Sequence, residues 1–224
     1  MKQRIKSILL DLGSDACGIA SADAFVNAPE GFHPRDIFPG CKSVVVFALA
    51  LPRTVYEGNT RIVYNHCNNT VLSEIDRITL HACKQIEALG IKCMPLPCDS
   101  PYDHWEPDRL HGRGILSMRH AAVLAGIGSM GKNTLVMNRA FGNRMNLGAL
   151  LADSPMESDP AAEDLCIPGC RKCLDACPTG ALDGSTAKQD HCRPHTYATN
   201  ARGYSVCNCN LCRTACPWAL GSEK

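Results

Sequence analysis

The first apolar residues of the chain fall on a helical period. Ile5, Leu9 and Leu12 share one face over residues 3–12 and Gly13 stops the run, which predicts a helix. A short strand is expected at Ala16–Ser21. Residues 27–39 are rich in Pro and Gly and read as loop. Residues 43–51, SVVVFALAL, form an unbroken apolar stretch with many β-branched residues between Gly40 and Pro52, which predicts a central strand. The clearest helical period follows at 71–89, with Val71, Ile75, Ile78, Ala82, Ile86 and Leu89 on one face and Gly90 at its end. A strand is expected at 91–96 and loop at 95–107. Ser117 is a candidate cap for a helix running through Ala125. Residues 134–138 and 145–152 read as two strands of a hairpin turning across Phe141-Gly142-Asn143, and 153–164 as polar linker.

Helices and strands do not alternate as βαβ units, so the fold class is α+β. With 224 residues, 45% hydrophobic and 20% charged, the chain has room for one sizeable domain, 1–160, and a small appended one, 161–224. The formal net charge is +1. It divides as 16 Lys+Arg against 18 Asp+Glu in 1–165 and 7 against 4 in 166–224. Nothing in that balance asks for nucleic acid or a membrane. The apolar stretch after the basic start is cut by Asp11, and 44–51 is too short to span a bilayer. A cytoplasmic protein is expected, with no membrane partner.

The appended region carries the strongest chemical signal. Nine of the 15 cysteines lie between 166 and 216. Cys170-x2-Cys173-x3-Cys177-Pro178 and Cys209-x2-Cys212-x3-Cys216-Pro217 repeat one half-site. In a two-cluster ferredoxin, three closely spaced thiolates grip one [4Fe–4S] cube and the thiolate before the proline reaches the other. Two cubes are therefore expected. Zinc sites have no use for the paired C-x3-C-P, and an odd cysteine count in a chain of this length does not suit a disulfide framework. Eight thiolates and two oxidised cubes add about −4, so the loaded region is close to neutral.

Gly126-Ile-Gly128-Ser-Met-Gly131-Lys132-Asn133 imitates two phosphate-binding patterns. A dinucleotide fingerprint needs a strand before and a helix after, and here the expected order is reversed. A P-loop needs Ser or Thr where Asn133 stands. Two readings stay open: a tight helix-to-strand turn, or a backbone wall against a large cofactor, with Lys132 supplying a cation.

The block from Ser117-Met-Arg119 through Asn133, followed by Phe141-Gly142-Asn143-Arg144, together with the cysteine array ending Cys216-Pro217-Trp218, resembles the epoxyqueuosine reductase family. A weaker echo lies in His33-Pro34 and Phe38-Pro39-Gly40-Cys41. The likeness runs from about residue 33 to 218. It implies a nitroreductase-like mixed sheet-and-helix domain, shared with reductive dehalogenases, followed by a ferredoxin-like two-cluster domain. It implies a cobalamin beside one cube, held by Ser117, Arg119, Gly126, Gly128, Gly131, Lys132 and Asn133. It also implies an external low-potential donor of the ferredoxin or flavodoxin type, from which electrons pass through both cubes. For the ligands it implies Cys166, Cys170, Cys173 and Cys216 on one cube and Cys177, Cys192, Cys209 and Cys212 on the other. Spacing alone leaves Cys207 open in place of Cys192.

The chain departs from the family pattern at three points. The family's acid lies in a V-D-x-x-P-x-x-E-R stretch, and the matching positions 112–119 hold no Asp, so the catalytic residue is unknown. Asp99, Asp103 and Asp108 lie nearby in sequence. Ser129 stands where the family has Trp. The helical-repeat extension that helps longer members hold tRNA has no counterpart before Lys224, and with near-neutral charge tRNA is an unlikely partner; a small molecule or a corrinoid protein is expected instead. Two functions follow: an iron–sulfur reductase of the epoxyqueuosine-reductase type, or a ferredoxin-like electron donor or reductive activator of a partner corrinoid protein. The scattered Cys17, Cys41, Cys67, Cys83, Cys93 and Cys98 read as small buried hydrophobes. His104-Trp105-Glu106 either covers a cofactor or pins its loop. Arg119, a cation at a helix start, hints at an anionic partner.

Overall fold

The structure, a computed structural model, describes residues 1–58, 61–207 and 209–222; the side chains of Ser205 and Cys207 lie outside that description. In chain order the elements are α1 (Lys2–Asp11), β1 (Ala16–Ser21), α2 (Pro34–Ile37), β2 (Ser43–Ala50), α3 (Arg61–Glu87), β3 (Cys93–Pro95), β4 (His104–Glu106), β5 (His111–Arg113), α4 (Met118–Leu124), β6 (Ser129–Met130), β7 (Val136–Met137), β8 (Met145–Ala152), α5 (Lys172–Asp175), α6 (Gln189–Thr196), β9 (Tyr197–Thr199), β10 (Ser205–Cys207) and α7 (Leu211–Thr214). Mixed α and β content matches the expected class. No helix among the described residues is long and apolar enough to cross a membrane.

The central sheet has the order β1-β2-β8-β3, and every neighbouring pair is antiparallel. β2 is apolar throughout because both of its faces are covered. Val45, Phe47 and Leu49 pack with Ile5 and Leu9 of α1 and Ile75, Ile78 and Ile86 of α3. Val44, Val46 and Ala48 pack with Ala121 and Ala122 of α4. An unbroken apolar strand thus marks two-sided burial here, without parallel pairing.

Four expectations are corrected. First, β7 pairs with β6, at Ser129↔Met137 and Met130↔Val136, whereas β8 enters the main sheet between β2 and β3. The expected hairpin across 141–143 is reduced to one bridge, Asn138↔Gly142. Second, α3 begins ten residues before Val71. Its first turns bury only Tyr64, so they show no apolar period, and Thr70 and Ser73 donate back to the carbonyls of His66 and Asn69 at 3.0 and 3.1 Å. Third, the expected loops hold short elements. α2 is fixed by reciprocal bonds of His33 and Asp36 with each other's turn, and β4 pairs with β5. Fourth, 153–164 is a strap along the open edge of β1. Asp159 N–H donates to Ile19 O at 2.7 Å, Ile19 N–H donates to the Asp159 carboxylate at 2.9 Å, and Ser21 N–H donates to Ser158 Oγ at 2.9 Å. Lys2 and Lys6 close on the same carboxylate at 2.8 and 2.7 Å. A covered edge cannot pair with another chain.

Candidate functional site

The duplicated cysteine half-site is also a structural repeat. In the first copy the Arg171 carbonyl accepts from Leu174 and Asp175, Ala176 N–H reaches Lys172 O, and Cys177 N–H reaches Leu174 O. The second copy makes the same four bonds: Arg213 and Thr214 to Asn210 O, Ala215 to Leu211 O, and Cys216 to Arg213 O. The residues opening the two turns match in conformation, Arg171 at φ −124 and Asn210 at φ −135. The resulting short helices, α5 and α7, pack against each other.

Cys166, Cys170, Cys173 and Cys216 line one cavity, with Lys132, Ile167 and Trp218 among its other walls. Burial, then the crowding thiols of Cys166 and Cys170, raises the Cys216 thiol; burial, then Cys216 and Cys166, raises that of Cys173. Cys212 belongs to a second group. Burial pushes it up to about 11, with Cys209, Cys192 and Cys177 adding to the rise and Arg213 opposing it. Like charges crowded in this way stay protonated until a cation replaces the protons. Among the described residues, no three His, Cys, Asp or Glu side chains close on a single-ion site. The first four thiols surround a cavity. Cys177 behaves differently. Burial raises it, but N–H groups of Thr179, Ala181 and Leu182 and the Thr179 hydroxyl outweigh burial and leave it lowered. The Ala181 N–H lies 3.3 Å from Sγ. Cys192 Sγ has the Thr196 hydroxyl at 3.4 Å. The alternative ligand Cys207 has its side chain outside the described residues.

The glycine loop serves packing and docking. A Cβ on Gly128 would stand 2.3 Å from Met137 O, and one on Gly126, which has φ +71, would stand 2.3 Å from Pro160 O. Both backbones press against their own chain and leave no bare wall for a cofactor there, which favours the turn reading. Gly131 faces the Asn133 side chain and Met137. Lys132 Nζ donates to Cys170 O at 2.9 Å and Asn133 Nδ2 to Cys212 O at 2.9 Å, so the loop's polar tip grips one residue from each thiol group. The Lys132 ammonium thus lies at the cavity of the first thiol group. Ser129 is buried, and its hydroxyl accepts from Leu165 N–H at 3.1 Å.

A second clamp comes from the turn before β8. Asn143 Nδ2 donates to Arg213 O at 3.0 Å and Arg213 returns a bond to Asn143 O at 2.7 Å. Arg213 also reaches Tyr56 OH at 3.3 Å, and Arg53 donates to Leu220 O at 3.1 Å. Many hydrogen bonds thus cross the boundary expected near residue 160. Arg213 and Tyr56 escaped the sequence reading. An Arg inside a C-x3-C run carries no pattern of its own.

Arg119 lies beside the second thiol group. Its side chain is open to solvent yet closely surrounded. Burial, then Arg213, lowers its pKa, while Cys212, Tyr197 and Tyr102 oppose that. Its guanidinium donates to Thr134 Oγ1 at 2.8 Å, and Thr134 holds a left-handed φ of +60. Ser117 makes no side-chain cap for α4; its Oγ pairs with His120 Nδ1 at 2.7 Å. Trp105 pins its loop: Arg193 of α6 stacks over Tyr102, Trp105 and Tyr197 at 5.1, 5.0 and 5.5 Å. Gly112 and Gln189 exchange two bonds of 3.0 Å. Glu106 is held lowered by His104 first and His111 next, with Arg113 nearby.

No protein-family model matches the chain. It is 27% identical to the epoxyqueuosine reductase of Bacillus cereus, over all of this chain and 66% of that protein. A 109-residue stretch is 38% identical to the epoxyqueuosine reductase of Pseudomonas aeruginosa, covering 43% of this chain and 30% of the relative. Among solved structures, epoxyqueuosine reductase from Streptococcus thermophilus superposes with a TM-score of 0.69 at 20% identity, over 100% of this chain and 67% of that one. A reductive dehalogenase described as B12-dependent superposes with 0.68 at 19% identity, over 98% and 32%. The chain therefore spans about two thirds of the length of the curated relatives it matches along its whole length. The expectation that tRNA is an unlikely partner is overturned. The relatives are epoxyqueuosine reductases, and one structure of this fold, 22% identical with a TM-score of 0.63 over 97% of this chain and 65% of that one, holds an epoxyqueuosine-modified tRNA stem loop. Net charge summed over a chain does not report on a local cradle. Along its whole length this chain is similar in sequence to the epoxyqueuosine reductases, and it shares their fold.

Proposed function

We propose that the chain is an iron–sulfur reductase that delivers electrons through two [4Fe–4S] clusters to an epoxide-bearing tRNA nucleoside of the epoxyqueuosine type. Cys166, Cys170, Cys173 and Cys216 hold one cluster; Cys177, Cys192, Cys209 and Cys212 hold the other. The observation that carries this reading is the sorting of eight thiols into those two groups, the first around one cavity. When bound, the clusters supply single electrons at low potential. The chain's own groups do the rest. Hydroxyl and N–H donors on Cys177 and Cys192 stabilise thiolate charge, and Lys132 and Asn133 fix the distance between the two groups by gripping one backbone carbonyl of each. Arg119, exposed and near Cys212, is a cation that can orient an anionic part of substrate or cofactor. A corrinoid, the cofactor named for the B12-dependent neighbour, is assigned to the Arg119 side of the second thiol group; the packed glycines offer it no wall.

Anaerobic reconstitution tests this. About eight irons per chain are expected. Cys192→Ala is expected to lower iron content and Cys207→Ala to leave it unchanged; the reverse result removes Cys192 from the ligand set. Added cobalamin should bind the intact protein and lose affinity in Arg119→Ala. A second reading, electron donor to a separate corrinoid protein, is favoured by the missing carboxylic acid at 112–119 and by the docking role of the glycine loop. Full cluster loading with no cobalamin binding selects it.

A further inference from the structure

Six cysteines lie outside the cluster motifs, and two of them meet. Cys83 of α3 and Cys93 of β3 face each other with Sγ atoms 3.1 Å apart, about an ångström beyond a covalent disulfide. They were expected to be ordinary packing residues. The other four do not pair: Cys98 Sγ rests on Leu72 O at 3.3 Å and Cys41 Sγ on Ser43 O at 3.5 Å, while Cys17 and Cys67 have no sulfur partner in the described contacts. No third ligand joins the pair, so it is not a metal site among the described residues.

We propose that Cys83 and Cys93 are a disulfide-forming pair, oxidised by a small neutral hydroperoxide. Cys83 is 4% exposed and Cys93 is half-buried, so Cys93 meets the oxidant. Its thiolate attacks one peroxide oxygen, the O–O bond breaks, and hydroxide leaves to take up a proton as water. The sulfenic acid formed is then attacked by Cys83; the S–S bond forms and a second water leaves. Two thiols and one hydrogen peroxide give one disulfide and two waters. Glu87 and Asp153 flank Cys93, so an anionic oxidant is repelled and a neutral one is not. Hydrogen bonding to Cys83, then burial, keeps Cys93 well above the ordinary thiol range, so its thiolate is scarce and the pair reacts slowly. The link ties the end of α3 to β3, the root of the chain segment whose Tyr102 and Trp105 hold Arg193. It makes no use of the cluster thiols and stands or falls apart from the function proposed above.

The test uses the reconstituted full chain carrying Cys98→Ser, because Cys93 and Cys98 share one tryptic peptide. After peroxide treatment, acid quenching, alkylation and trypsin, peptide 78–84 is expected joined to peptide 93–109, lighter by two hydrogens and released by dithiothreitol. Cys83→Ser and, separately, Cys93→Ser are each expected to abolish the linked species; the second keeps the test sound if the first disturbs the core. Recovery of both thiols alkylated, or of Cys93 as sulfinic acid beside a free Cys83, overturns the proposal.

Discussion

The sheet and the cysteine region are held together by different means. Around β2 the side chains of Ile5, Leu9, Ile19, Phe47, Ile75, Ile78, Ile86 and Leu150 are all fully buried. From residue 161 onward only Leu165, Cys173, Ala181 and Ala219 are buried among the described residues. Ordering a residue's backbone costs about 1–2 kcal/mol, and four mostly small side chains cannot offset that over some sixty residues. The cysteine region therefore leans on what it borrows: the clamps from Lys132, Asn133, Asn143 and Arg53, and in the proposed reading the iron itself. One region is folded by water, the other by docking and, in the proposed reading, by ligation.

The largest expected effect separates them directly. Removing iron with a chelator should open the region beyond residue 165 to protease while the sheet stays intact, because binding energy of a metal site is folding energy. Cys173→Ala and Cys212→Ala should each do the same in part. Limited proteolysis with mass mapping reads this. Equal protection of both regions in iron-free protein would show that the docking contacts suffice.

Gly128→Val comes next. Its first methyl-bearing carbon meets the Met137 carbonyl, and the branched side chain forces β6 and β7 apart, at a cost on the order of 3 kcal/mol. Thermal melting of the whole protein should fall. Unchanged melting with lost cobalamin binding would restore the cofactor-wall reading of this loop.

What was legible in the sequence follows the same division. β2 and β8 were visible because each face of the sheet buries its own apolar set. The duplicated half-sites were visible because cluster chemistry fixes cysteine spacing. The first half of α3 was not, since its polar turns bury only Tyr64, which packs with Leu51 and Val55. Nor was the β6–β7 pairing, since two-residue strands leave no period to read. The clamps were hidden for a further reason. Lys132, Asn133 and Asn143 bond to backbone carbonyls, and a carbonyl exists at every residue, so no sequence pattern marks the partner.

Lys132→Ala is a milder cut between the regions. It removes one charged hydrogen bond to Cys170 O, worth on the order of 1–2 kcal/mol. Faster iron release from the first thiol group, measured with a chromogenic chelator, is the expected result. A release rate equal to the parent's would mean that Asn133 and Asn143 hold the region without it.

The smallest expected effect lies wholly on the sheet side and serves as its control. Asp159 ties the 153–164 strap to β1 and to α1 through Lys2 and Lys6. Burial raises its pKa, but the hydrogen bonds of Lys2, Lys6 and Ile19 N–H outweigh burial and leave it lowered. The folded state thus binds its proton less readily than the unfolded chain, where Asp titrates near about 3.9. Its contribution is fully present above that value and is lost as pH falls through the lowered folded pKa. Asp159→Asn should therefore cost about 1–2 kcal/mol at neutral pH and progressively less below about pH 4. Urea denaturation of the iron-free protein across pH 3–7 measures it. Because iron is absent, a cost that stays the same across the whole range cannot be charged to the clusters, and it would mean that Asp159 acts through its hydrogen-bonding shape instead of its charge.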